Sequence, residues 1–151
     1  MRRNMKKCMP YNGYLNTDLD LLGEEPFNAV MMELGSVSIL HYEKQENGIW
    51  SACVESQESQ QSCTCKERSP KDNILPLVNL IKKMSASSKE EWRRLTKRDF
   101  NIGWQATNIW PQSASFILPN AVLQEMAAVN ATCSVTIYPY SEDTTKNEEL
   151  S

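Results

Sequence analysis

Ser36-Val-Ser-Ile-Leu-His-Tyr-Glu-Lys-Gln-Glu-Asn-Gly-Ile-Trp-Ser-Ala-Cys-Val54 decides the fold class. Two strand-like runs, Ser36 to Tyr42 and Gly48 to Val54, flank the polar stretch Glu43 to Gly48. The Asn47-Gly48 pair favours positive φ, so the two runs read as a hairpin. Within the first run, the strand period places Val37, Ile39 and His41 on one face, and Leu40 and Tyr42 on the other.

Toward the N-terminus, Thr17-Asp-Leu-Asp-Leu-Leu-Gly23 reads as a short helical turn, with Thr17 as N-cap and Gly23 as stop. Glu24-Glu-Pro26 restarts a helix, and Phe27, Val30, Met31 and Leu34 share its apolar face. Residues 1–16 are basic and read as a frayed end carrying Arg2, Arg3, Lys6 and Lys7. They begin like the charged part of a signal peptide, but no apolar stretch of about 7–15 residues follows. No run approaches the ~20 apolar residues that span a bilayer.

Toward the C-terminus, residues 55–72 are rich in Ser, Gln and charge and read as a long mobile loop. Ile74, Leu77, Val78, Ile81 and Met84 mark an amphipathic helix capped by Asp72 or Asn73, with Pro76 tolerated in its first turn. Ser88-Lys-Glu-Glu91 has the form of a capping box before Trp92 and Leu95. Phe100, Ile102, Trp104 and Ala106 alternate with polar residues as in a half-buried strand. After a turn at Trp110-Pro111, Ala114 to Leu118 reads as another strand. Pro119 opens a helix stopped by Asn130, and Thr132 to Tyr138 is the last strand. Strands that come in hairpins predict an α+β fold, an antiparallel sheet with helices packed on one face. At 151 residues the chain suits a single domain over 1–140, followed by an acidic, disordered tail at 141–151.

A net charge of −3 argues against a general nucleic-acid binder, which needs excess Lys and Arg. Lys89, Arg93, Arg94, Lys97 and Arg98 read as a solvated helix face, since no aromatic residues interleave with them as in a stacking platform. The five cysteines, Cys8, Cys53, Cys63, Cys65 and Cys133, are odd in number and irregular in spacing, which suits a reduced cytosol better than a disulfide framework. Cys53 and Cys133 alternate with apolar residues and read as buried. Cys63-Thr-Cys65 lacks the second close pair that tetrahedral zinc needs, so no metal is assigned, and its redox role stays open. The single histidine, His41, reads as a hydrogen-bonded structural residue rather than a general base. Glu24-Glu25 and Glu90-Glu91 are adjacent pairs that point apart on a helix and form no dyad. The glycines are scattered and build no phosphate loop, so no cofactor is expected. Trp104 reads as core, and Trp110 as the better exposed anchor.

Over roughly residues 20–140 the chain resembles a bacterial immunity-protein-like domain family of polymorphic and contact-dependent toxin systems. The residues that carry the resemblance are Leu22-Gly-Glu-Glu-Pro26, the strand Gly48-Ile-Trp50-Ser51, the helices Ile74–Met84 and Trp92–Leu95 and the strand Phe100–Trp104. Phe116-Ile-Leu-Pro-Asn-Ala-Val-Leu-Gln-Glu-Met126 and Cys133-Ser-Val-Thr-Ile-Tyr138 complete it. The family's opening strand has no visible counterpart in the basic, polar residues 1–18. The resemblance implies no catalytic residue.

The expected function is therefore non-enzymatic: an immunity protein that binds and neutralises a cognate toxin in the cytoplasm, away from membranes and nucleic acid. An acidic binder suits a basic nuclease toxin. Glu55, Glu58, Trp110, Glu142 and Asp143 are the expected contacts. The alternatives are a small-molecule or peptide-sensing module with 55–72 as a lid, and a small hydrolase using a cysteine and His41. The sequence leaves the oligomeric state open.

Overall fold

Leu19 and Leu21 are fully buried, while Asp18 and Asp20, which alternate with them, are half-buried on the opposite side. That alternation is the period of a strand, and Tyr14–Gly23 forms β1, the central strand of the sheet. The computed structural model describes residues 13–35, 37–56, 69–106 and 116–139. The remaining elements are α1 (Asn28–Glu33), β2 (Ser38–Lys44), β3 (Trp50–Glu55), α2 (Pro70–Lys82), α3 (Ala86–Arg94), β4 (Lys97–Gln105), α4 (Asn120–Ala128) and β5 (Thr132–Tyr138).

β1 corrects two expectations: the helical turn at Thr17–Gly23, and a frayed end that included Tyr14 to Asn16. Thr17 caps no helix; it is buried, and its hydroxyl bonds the Tyr14 hydroxyl at 2.8 Å. Gly23 is not a helix stop but the register partner of Trp50. A Cβ there would lie 3.1 Å from the Glu25 carbonyl and from the Phe27 ring. Strand pairing on both sides outweighed the local cap and stop signals.

The five strands run in the order β2-β3-β1-β4-β5. β2–β3, β3–β1 and β1–β4 are antiparallel, and β4–β5 is parallel. The fold is α+β, with a mostly antiparallel sheet and helices packed on it. The β2–β3 hairpin closes where the sequence places it, with Gly48 at φ 84° and the Asn47 side chain accepting from Ile49 N at 3.0 Å. A register shift between Ile39 and His41 separates these two residues. Ile39 pairs with Val54 on the helix side, and His41 pairs with Cys53 on the other. Their expected common face is thereby corrected.

Among the described residues the second expected hairpin does not form. Phe116 to Pro119 form no strand; Phe116 stacks on Trp104 at 5.1 Å and, with Leu118, packs on Tyr14 and Ile102. Residues 114 and 115 lie outside the described residues. β4 instead reaches β5 through α4, and such a crossover yields a parallel pair. β5 is an outer strand, so Cys133, expected to be buried, is exposed, and Ile137 is 67% exposed.

Helix starts also moved. Ser69 caps α2, accepting from Lys71 N at 3.3 Å, and Pro70 is the first helical residue. The expected caps lie inside the helix. Asn73 is buried, donating to the Tyr14 hydroxyl at 2.6 Å and accepting from Ser56 Oγ at 3.0 Å. Pro76 therefore sits in the helix interior, where it withholds one backbone donor. Ser85, not Ser88, caps α3. Glu33 at the end of α1 accepts from Ser85 Oγ, from Ser85 N at 2.9 Å and from Ser88 Oγ at 2.8 Å. Those bonds hold its carboxyl below the usual range. In return Glu91 of α3 accepts from Val30 N in the first turn of α1 at 3.0 Å.

The core joins Leu19, Leu21, Ala52, Val54 and Phe100 of the sheet to Val30, Ile74, Leu77, Val78, Ile81, Trp92, Val122 and Met126 of the helices and to Leu34 just after α1. Each fully buried large apolar side chain contributes about 1.5–3 kcal/mol. Every helix thus packs on the Leu19 face of the sheet.

Candidate functional site: the acidic sheet face

The side chains that alternate with the core positions build the other face. Register sets them in rows across the strands. One row runs His41, Cys53, Asp20, Asp99 and Thr132; the next runs Ser38, Glu55, Asp18, Asn101 and Ser134. Each row places two carboxylates directly opposite one another, Asp20 against Asp99 and Glu55 against Asp18. Like charges so placed oppose strand pairing.

The two sides of this face differ. Asp99 is buried and well satisfied, accepting from Thr132 Oγ1 at 2.6 Å and from Ser134 Oγ. Thr136 donates to Asn101 at 2.8 Å. Among the described residues Asp18 accepts one side-chain hydrogen bond, from Asn16 at 3.0 Å. Burial, reinforced by Glu55 and Asp20, pushes its carboxyl up to about 6, against the pull of Asn16. Lys97 pairs with Asp20 at 3.8 Å. Among the described residues no cation pairs with Asp18. Ser51 lies on the same face, in register with Leu22 and Glu43; it is buried, and its hydroxyl has no hydrogen-bond partner among the described residues.

Cys53 faces His41 across β2–β3, the meeting that a Cys/His hydrolase requires. The electrostatics run the other way. Burial, then Asp18 and Asp20, push the Cys53 thiol up to about 12, and it also donates a hydrogen bond to Asp20. A nucleophilic cysteine needs a lowered pKa in a positive setting, so at neutral pH this sulfur is an inert thiol. His41, expected to be a hydrogen-bonded structural residue, is exposed on the outer strand β2.

Of the expected contact residues, Glu55 lies on this face. Glu58, Trp110, Glu142 and Asp143 lie outside the described residues, as do Cys8, Cys63 and Cys65. Sequence reasoning missed Asp18, Asp20 and Asp99. The signal was present in Asp18-Leu-Asp-Leu21, whose alternation gives both acids to one side once the segment is a strand.

Two other places carry polar chemistry. A cleft of about 250 Å³ is lined in part by Glu24, Glu25, Phe27, Glu91 and Arg94. Three of its charged groups are engaged, Glu91 with α1 and Arg94 with Glu25 at 3.4 Å. The basic residues around α3 are similarly dispersed. Arg93 pairs with Glu90 at 2.8 Å, and the Arg98 guanidinium bonds the carbonyls of Leu95, Trp92 and Asn130 at 2.7–2.9 Å. Arg98 thereby closes the end of α3 and offers no free anion site.

Among the described residues no group of His, Cys, Asp and Glu is placed to hold a metal ion. No helix among them is long and apolar enough to cross a membrane. No family model matches the chain, and no curated protein or solved structure matches it significantly.

Proposed function

We propose that this chain is a non-enzymatic immunity protein that neutralises a cognate toxin by docking a basic surface of that toxin onto its acidic sheet face. One observation carries the reading: Asp18, Asp20, Asp99 and Glu55 share a face on which no described helix packs, with Lys97 as the cation paired there. Carboxylates set opposite one another against strand stability are the arrangement that a cationic partner relieves. The inert Cys53 thiol favours binding over catalysis, and the resemblance to immunity domains supplies the class of partner. The reading places the protein in the cytoplasm, where a toxin reaches its target.

Co-expression with the toxin encoded beside it tests the proposal. Protection and a co-purifying complex are expected, with affinity falling steeply as salt rises. The variant Asp18→Asn/Asp20→Asn/Glu55→Gln should remain folded and lose protection. Full protection by that variant would overturn the assignment of this face.

A further inference from the structure

We propose that the outer edge of β5 is a homodimer interface, at which it pairs antiparallel with β5 of a second copy of this chain and joins the two sheets into one. The inference stands apart from the docking reading above and uses different residues. β5 closes one end of the sheet and β2 the other, and the two edges are built differently. β2 carries a register shift between Ile39 and His41 and ends in Glu43 and Lys44. A bulge and charges of this kind keep an edge from pairing further. β5 reads Thr132-Cys-Ser-Val-Thr-Ile-Tyr138, without charge or proline, and its register against β4 is unbroken. Such a strand is a template for another strand.

The backbone shows which groups are on offer. The Tyr138 carbonyl accepts from Ala106 N at 2.9 Å, and Tyr138 is the register partner of Gln105. Alternate residues of a parallel strand turn both backbone groups toward the neighbour. Thr132, Ser134, Thr136 and Tyr138 therefore serve β4, while Cys133, Val135 and Ile137 turn theirs outward. Among the described residues no strand meets those groups. The side chains of these three lie in register with Phe100, Ile102 and Trp104 on the helix side, yet Val135 is 49% and Ile137 67% exposed.

A second copy fits because the edge is self-complementary. About a two-fold axis at Val135, that residue meets its own copy, and Cys133 meets Ile137, apolar against apolar. On the other side Ser134 meets Thr136, and Thr132 meets Tyr138, so no like charges oppose. The hydroxyls of Thr132, Ser134 and Thr136 already donate to Asp99 and Asn101, which holds the strand to β4. The axis is perpendicular to the sheet, so the helices of both copies stay on one side and both acidic faces on the other. An edge pair of this length buries less than the roughly 1,200–2,000 Å² of a stable interface, so the dimer is reversible, with a dissociation constant on the order of 10 µM.

Sedimentation velocity of the full chain, over concentrations reaching tenfold to either side of that constant, tests the pairing. The mass should rise from one chain to two. Val135→Lys sets like charges against each other across the axis, at a half-exposed site, and should stay monomeric. Ile137→Lys should act alike, and unchanged circular dichroism in either variant separates lost pairing from lost folding. On oxidation, Val135→Cys/Cys133→Ser should cross-link well beyond Leu40→Cys/Cys133→Ser, which places its thiol on the β2 edge. A wild-type chain that stays monomeric at the highest concentration overturns the proposal and leaves the edge to a foreign strand. A dimer that both lysine variants leave intact lies elsewhere on the molecule and overturns it too, as does equal cross-linking from the two edges.

Discussion

The two sides of β1 are built from neighbouring residues and do opposite things. Leu19 and Leu21 face the helices, are fully buried, and pack against Val54, Ala52 and Phe100. Asp18 and Asp20 face away and meet Glu55 and Asp99. One side gains stability from every contact it makes, whereas the other is held against its own charge repulsion. A single strand thus ties the fold and the candidate docking face to one register. A one-residue slip would exchange the two sides, placing carboxylates in the core and leucines on the surface.

The sharpest way to break this contrast is to remove a large side chain from the core side. Phe100→Ala should cost about 3–5 kcal/mol of unfolding free energy, read as a lower denaturant midpoint. On the acidic side the sign reverses. The Asp18 carboxyl titrates higher in the folded protein than its ordinary 3.8, so the native state holds the extra proton between about pH 4 and 6. Stability then falls as pH rises through that window. Asp18→Asn should therefore stabilise the protein above about pH 7, by about 1–2 kcal/mol after allowance for solvent screening at this half-buried site. The gain should vanish below about pH 4; equal gains at both pH values would contradict the charge account. The smallest effect belongs to Lys97, whose pairing with Asp20 is long and partly exposed. Lys97→Ala should change stability by less than about 1 kcal/mol in thermal melts.

The legible and illegible parts of this chain divide along the same lines. The β2–β3 hairpin could be read because Asn47-Gly48 fixes it locally, and Thr132–Tyr138 because its alternation is long and its ends are marked. β1 could not, because Thr17 and Gly23 imitate helix cap and stop, and Leu21-Leu22 blurs the alternation. Only pairing with β3 and β4, distant in sequence, resolves it. The parallel β4–β5 pair escaped for a related reason. Phe116 and Leu118 have the composition of a strand, yet they are used to cover Trp104 and Tyr14. The start of α2 was hidden because Ser69-Pro70 closes a polar stretch that otherwise reads as loop. As for the candidate site, Glu55 was found from charge alone. Asp18, Asp20 and Asp99 require the sheet to exist before they can be seen as neighbours.

The exchange of carboxylates between Glu33 and Glu91 has a consequence for motion. α1 has only six residues and no side-chain cap of its own at its start; Glu91, from α3, serves its first turn. α3 in turn takes Glu33 at its first turn. Each helix therefore loses a hydrogen-bond acceptor at its beginning whenever the other unwinds. Fraying, normally a private event at each helix end, becomes a joint one here, and the two segments open to solvent as a single cooperative unit.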